Sequence, residues 1–372
     1  MKILFYNVTA ASLHGGLETY CWEAGRALAR RGHQVVICAG AAGPAWHDEV
    51  QLVQFPYRPE QDWPDLGTRF RRLMERLSFA WHSLDHVVHG NYDAVVVNKP
   101  FDFPVLWRAR QRGFAGRTLF RSGGTDFFAG DRWFASAIDR WASSSRHNAA
   151  QVQARYGRGV TVIHNGVDVG RFVVRSEDDG WRRTLGLPDN AFVLMSVGRL
   201  VGLKGLRVII EALAGLAPHI CFVIVGEGPE RSPLERLAAD KGVASRVRFA
   251  GRVLHAALPE ALARADLFVQ PTIGEEAFGI SVVEAMACAL PVLASLSGGL
   301  PEIVADGLTG RLLPRGDTAA WQHALAAAEA DRPALARWGA AGRARVEAEF
   351  TWAANAARLE ALIAGENAAC AA

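Results

Sequence analysis

The feature that most limits what this chain can fold into is an alternation that runs its course twice. Short aliphatic runs, each long enough for one buried strand, are separated by amphipathic stretches long enough for one helix. The series restarts after a polar break at Arg175–Gly180. Apolar runs with helical crossovers between them predict parallel strands covered on both faces, in a doubly wound α/β arrangement. Strands are expected at Ile3–Val8, Gln34–Ala39, Ala94–Asn98, Thr118–Arg121 and Val160–His164, with helices over Leu17–Arg31, Leu66–His89, Phe103–Arg112 and Ser144–Tyr156. After the break, strands are expected at Phe192–Val197, Cys221–Val225, Val247–Ala250, Leu267–Gln270 and Val292–Ala294, with helices starting near Gly205, Pro229, Ala256 and Gly279. A chain of 372 residues, half of them hydrophobic, suits two cores of ordinary size. The expected division is an N-terminal domain over 1–170, a linker over 171–180, a C-terminal domain over 181–350, and a C-terminal helix over 351–372 that returns to the first domain.

The net charge of +3 is too small to imply nucleic acid as a partner. The charge is uneven: residues 1–170 hold 20 Lys/Arg against 15 Asp/Glu, a net of +5, and the remainder is net −2. A basic first half suits an acidic acceptor or a membrane surface, and ordinary surface variation accounts for it equally well. Over 66–89, Arg69, Arg71, Arg72 and Arg76 lie among Phe70, Leu73, Leu77 and Trp81. That mixture fits a helix making peripheral contact with the inner face of a membrane, although an ordinary amphipathic helix packed on the sheet is the favoured expectation. Cys21, Cys38, Cys221, Cys288 and Cys370 show neither disulfide nor zinc spacing. Reduced thiols, a first apolar run too short for a signal peptide and no apolar stretch of about 20 residues point to a cytoplasmic protein.

In an open α/β sheet, ligands bind beyond the carboxyl ends of the strands, so the residues that follow each strand are the candidates. After the first strand comes His14-Gly15-Gly16-Leu17-Glu18, whose glycines allow close backbone approach at a helix start; a plain tight turn is the equal alternative. It lacks the dinucleotide fingerprint, which disfavours a nicotinamide cofactor. After the strand ending at Val197 comes Gly198-Arg199-Leu200-Val201-Gly202-Leu203-Lys204-Gly205. Two cations in a glycine loop suit a diphosphate, with Arg199 as a fork and Lys204 as a point charge; a solvated loop is the alternative. Gly226-Glu227-Gly228-Pro229 would let a nucleotide lie against backbone. The most informative stretch is Pro271–Gly310: a loop presents Glu275 and Glu276, Ala277-Phe278-Gly279 opens a helix, and Glu284 sits in its first turns. A carboxylate there can accept two sugar hydroxyls while helix-start amides hold other oxygens.

This stretch resembles the signature of glycosyltransferase family 4, the group 1 glycosyltransferases, a retaining family of the GT-B fold. Its Glu-x7-Glu motif maps onto Glu276 and Glu284; the loop from Gly198 to Gly205, the His14–Glu18 loop, His164-Asn165-Gly166-Val167-Asp168, Gly298–Glu302 and Gly307–Gly310 also match, in order. The resemblance implies two Rossmann-like parallel-sheet domains facing across a cleft. It implies a nucleotide-sugar donor, a glycan, lipid-linked or small-molecule acceptor, and a place in cell-surface polysaccharide or glycoconjugate biosynthesis. By the same resemblance, Arg199 and Lys204 hold the donor diphosphate, Glu276 the transferred sugar and Glu284 the ribose. The Gly16 amide touches a phosphate, and Gly251-Arg252-Val253 lies by the base, with Gly226, Ala277, Phe278 and Gly279 completing the donor site. The donor phosphate then helps to deprotonate the acceptor on the same face, and no protein nucleophile is needed.

Two departures stand out. Where many relatives carry His-Gly-x-Asp after the fifth strand, this chain reads Arg121-Ser122-Gly123-Gly124-Thr125-Asp126. With Gly15, the residues Ser122, Gly123, Thr125 and Asp126 form the candidate acceptor side. Asp126 is expected either to orient or deprotonate the acceptor hydroxyl, with a pKa raised by burial, or to cap the next short helix. Ala289 also stands where a helix-ending glycine is usual, which predicts strain there. No Asp-x-Asp pair or spaced histidines suggest a metal, so no cofactor is expected and the cations offset the leaving-group charge. A sugar-nucleotide epimerase or phosphorylase of the same fold, or a non-catalytic nucleotide-sugar sensor, are the alternative readings.

Overall fold

All ten forecast runs become strands; eight of them are removed from water almost throughout, while those at Val160–His164 and Val247–Ala250 are only partly buried. The computed structural model of the chain describes residues 1–11, 15–41, 49–174 and 180–366. His14, Arg175–Asp179 and Cys370 lie outside the described residues. The fold divides into two units, Met1–Gly166 with the segment from Trp352 onward, and Val167–Thr351.

The first unit holds β1 (Lys2–Tyr6), β2 (Gln34–Gly40), β3 (Gln51–Phe55), β4 (Ala94–Val97), β5 (Arg117–Ser122), β6 (Arg140–Ser143) and β7 (Thr161–Val162). Its helices are α1 (Gly16–Arg30), α2 (Thr68–His89), α3 (Phe103–Gln111), α4 (Asp131–Phe134) and α5 (Arg146–Tyr156). The second unit holds β8 (Phe192–Val197), β9 (Ile220–Val225), β10 (Val247–Gly251), β11 (Leu267–Gln270), β12 (Val292–Ser295) and β13 (Gly310–Leu313). Its helices are α6 (Trp181–Thr184), α7 (Leu206–Leu213), α8 (Arg231–Asp240), α9 (Leu258–Leu262), α10 (Ile280–Ala287), α11 (Leu300–Ile303), α12 (Thr318–Ala330) and α13 (Arg332–Glu349). The last helix, α14 (Trp352–Ala364), packs Trp352, Ala356, Leu359 and Ile363 into the core of the first unit beside α1, and Glu360 bonds Arg31 at 2.6 Å.

Both sheets are parallel throughout, in the orders β3-β2-β1-β4-β5-β6-β7 and β10-β9-β8-β11-β12-β13. Each order reverses direction once, between β1 and β4 and between β8 and β11. The loops leaving those strands diverge to opposite faces and open a crevice at the carboxyl edge. β3, β6 and β13 were not expected. β3 and β13 are edge strands, partly exposed, so neither is a continuous apolar run; β6 is four residues long and begins with an arginine.

The 66–89 segment is a sheet-packed helix. Phe79 and Val87 of α2 are buried with Tyr6 and Val36, and Ser83 shares a hydrogen bond with the Tyr6 hydroxyl at 3.0 Å. Its expected basic face is largely committed within the unit: Arg76 is buried against Asp102 at 2.8 Å, Arg72 bonds Asp126, and Arg71 reaches Asp65 at 3.4 Å. Trp81 remains exposed. Among the described residues no helix is long and apolar enough to cross a membrane, and Cys21, Cys38, Cys221 and Cys288 are buried free thiols.

Candidate functional site

In the second unit the two loops that leave the reversal point are those that follow β8 and β11, and they carry Lys204 and Glu276. They pack directly on each other. Ile273 and Gly274 amides donate to the Leu203 carbonyl at 3.0 and 3.1 Å. Gly205 has φ +66, and a Cβ there would stand 2.0 Å from the Pro271 carbonyl oxygen, so only glycine permits the approach. Lys204 Nζ consequently donates to Glu276 Oε2 at 2.6 Å. The same oxygen faces the buried Gln270 Nε2 at 3.1 Å and Thr272 Oγ1 at 3.4 Å. From below, the Gly299 amide holds the Glu276 carbonyl at 2.8 Å; at Gly298 (φ +54) a Cβ would lie 1.9 Å from that same oxygen. Arg199 is different in kind: its side chain is exposed and has no partner among the described residues, while its neighbour Leu200 is fully buried and anchors the loop. One cation is thus tied to a carboxylate and the other is free to meet an anion.

Gly279 is the N-cap of α10, and Glu284 lies within the helix, 5 % exposed. Its Oε1 is 2.6 Å from Nε2 of His255, a residue the sequence offered no reason to choose. Arg171 Nη2 stands 3.0 Å from the other ring nitrogen, Nδ1. A guanidinium only donates, so Nδ1 accepts, and Nε2 carries the proton that is given to Glu284. Phe172 flanks the ring at 5.5 Å between centroids. Arg252 is exposed, Val253 packs against the core, and the Gly226 amide donates to the Gly251 carbonyl at 2.8 Å, which sets the two loops side by side. Ala277 and the buried Phe278 complete the turn into α10.

In the first unit Gly15 is the N-cap of α1, with Gly16 exposed as its first residue. The acceptor-side expectations need correction. Asp126 caps nothing, since α4 begins after Gly130 and its entry is closed by Asp131, which bonds the Phe128 amide, Arg155 and the Tyr156 hydroxyl. Nor is Asp126 a carboxyl with a raised pKa. Burial pushes it upward, but Lys99 at 2.6 Å and Arg72 at 2.9 Å outweigh burial and hold it below the ordinary carboxylate value. A doubly paired carboxylate is a weak base. Ser122 is buried and donates to the Gly124 carbonyl at 2.9 Å, which closes the turn; Thr125 and Gly123 are exposed. Ala289 has φ +56, the strained geometry expected of an alanine at a helix-ending glycine position. Among the described residues no group of three His, Cys, Asp or Glu is placed to hold a metal.

Comparison with known proteins fits this geometry. The model for Glycosyltransferase Family 4 matches residues 14–171, and that for Glycosyl transferases group 1 matches residues 177–345. A D-inositol 3-phosphate glycosyltransferase of Salinispora tropica is 32% identical over 402 residues, covering 94% of this chain and 82% of that protein. A GDP-mannose-dependent monoacylated alpha-(1-6)-phosphatidylinositol monomannoside mannosyltransferase of Corynebacterium glutamicum is 34% identical over 248 residues, covering 63% of this chain and 64% of that protein. The solved sucrose-phosphate synthase of Thermosynechococcus elongatus superposes with a TM-score of 0.83 at 24% identity, over 98% of each chain.

Proposed function

Because the chain belongs to the group 1 glycosyltransferases of family 4 and has their GT-B fold, we propose that it transfers a sugar from a nucleoside-diphosphate sugar to an acceptor hydroxyl, with retention of configuration and without a catalytic metal. The observation that carries this reading is the Lys204–Glu276 pair at the sheet reversal, beside the free Arg199. Arg199 and Lys204 receive the diphosphate and offset the charge that grows on it as the glycosidic bond breaks. Glu276, once Lys204 turns to phosphate, accepts hydroxyls of the sugar. Glu284, held by His255, accepts hydroxyls of the ribose. Glu276 is tied to Lys204, Gln270 and Thr272, which makes it a poor nucleophile. In our reading the leaving phosphate oxygen takes the acceptor proton on the face it departs from, and that outcome retains configuration.

The relatives' names carry a GDP-mannose donor and acceptors built on inositol, and a nucleoside-diphosphate hexose with a polyol-bearing acceptor is the substrate class we assign. The test is the product's anomeric configuration by NMR, with and without a chelator. An α-linked product from an α-linked donor, formed in the chelator's presence, is expected. A β-linked product, or activity abolished by chelator and restored by manganese, would overturn the assignment.

A further inference from the structure

Two arginines are fully enclosed in the first unit, and they are treated differently. Arg76 is paired with the buried carboxylate of Asp102. Arg121, 1 % exposed in β5, has no carboxylate partner among the described residues. Its Nη2 donates to the Ile163 carbonyl at 3.3 Å and to Asn165 Oδ1, and its guanidinium lies 3.9 Å from the centroid of the Tyr20 ring. All three partners are neutral. Nε is buried without a hydrogen bond, as is the hydroxyl of Tyr20, and Nη1 makes none among the described residues. A buried cation with neutral partners and spare donors is costly to keep unless something negative reaches it.

The free end points to the sheet's carboxyl edge. A Cβ at Gly123 would stand 3.6 Å from Nη1, and one at Gly124 would meet nothing within 4 Å. Two bare residues therefore stand between the guanidinium and the loop region where ligands of open α/β sheets bind. The neighbouring cations do not compete for the same anion, since Lys99 and Arg72 are already engaged by Asp126.

We propose that Arg121, reached past Gly123, binds an anionic group of the acceptor, a phosphate or carboxylate, through Nη1. That this anion belongs to the acceptor rests on the transfer reaction proposed above; the anion site itself does not. Nη1 is the donor left to spare, since both Nη2 hydrogens serve Ile163 and Asn165 and Nε is buried.

The test uses the full chain with Arg199→Ala and Lys204→Ala together, so that phosphate binding reports the first unit alone. Titration with inorganic phosphate is expected to show binding that Gly123→Asp weakens at least about tenfold, the size expected of a charge-assisted hydrogen bond. Gly123→Asp starts a carboxylate from a Cβ 3.6 Å from Nη1, so the melting temperature should rise at the same time. Gly123→Ala, which adds only the Cβ, should keep the binding. Arg121→Met should abolish it, and the Gly123 variants keep the proposal testable if that chain does not fold. Flotation with phosphatidylcholine vesicles, with and without phosphatidic acid, separates a lipid headgroup from a soluble phosphate as the source. Neither probe binding, or equal binding in Gly123→Asp, would overturn the proposal. Loss of nucleoside-diphosphate binding in the unmodified chain would instead strike the transfer reaction and leave the anion site standing.

Discussion

Replacing Glu276 by glutamine should tighten the binding of a free nucleoside diphosphate while turnover collapses. In the ligand-free chain Lys204 is bonded to Glu276 at 2.6 Å, so a diphosphate must take the lysine from its partner. The two side chains are 27% and 17% exposed, which leaves the pair in partial contact with water. Pairs in that setting are worth about 0.2–1 kcal/mol net. Glu276→Gln removes that competition and one nearby negative charge, yet keeps the shape and a hydrogen-bonding oxygen for Gln270 and Thr272. Affinity should therefore improve by up to about fivefold, at 1.4 kcal/mol per factor of ten. The gain should shrink in high salt, because a pair in partial contact with water is screened. Turnover of the sugar donor should fall by about tenfold or more, since a neutral amide is a poorer acceptor for sugar hydroxyls. Calorimetry with nucleoside diphosphates of several bases at two ionic strengths, beside transfer kinetics, reads both effects. Affinity weakened threefold or more would show that Glu276 belongs to the nucleotide clamp, and unchanged turnover would remove it from the sugar site.

Three further outcomes are expected. His255→Ala leaves Glu284 without the donor at 2.6 Å and should weaken nucleotide binding by about tenfold, with recovery in His255→Gln; wild-type affinity in the alanine variant would refute this. Asp126, its pKa held low in the folded chain, contributes stability above its unfolded value near 3.8 and loses it as the pH falls through the lower folded value. Asp126→Asn should therefore lower the urea midpoint at pH 7 and do so much less at pH 3, and equal losses at both would show that the charge is not the cause. Ala289→Gly relieves φ +56 at roughly 1–2 kcal/mol and costs about 0.5–1 kcal/mol in chain entropy, for a net gain of up to about 1.5 kcal/mol. Calorimetric melting should show a rise of roughly 1–4 °C, and a fall would contradict the strain argument.

Much of this protein was legible along the chain because the information is local. A strand such as Phe192–Val197 is written as a mostly apolar run, since all its side chains but the last are buried whichever face they take. The loops that follow β8 and β11 could be singled out because parallel strands leave their ligands at one edge. The strain at Ala289 was equally local: a helix must end there, and alanine fits its turn badly. The edge strands β3 and β13 escaped notice because half-exposed strands carry polar residues and leave no continuous run.

What tertiary structure alone decided is which charges meet. Lys204 and Glu276 are 72 residues apart and join only because Gly205 lets one loop lie on the other. Asp126 reads as a base or a cap until Lys99 and Arg72, 27 and 54 residues away, are found on its two oxygens. His255 has no motif, and its tautomer follows from Arg171 and Glu284, 84 and 29 residues away on either side. Arg121 looks like any strand arginine until its surroundings prove neutral. Apolar burial is nearly additive along a chain and can be read residue by residue. The electrostatics of a charged group depends on neighbours that the fold, not the sequence order, brings within a few ångströms.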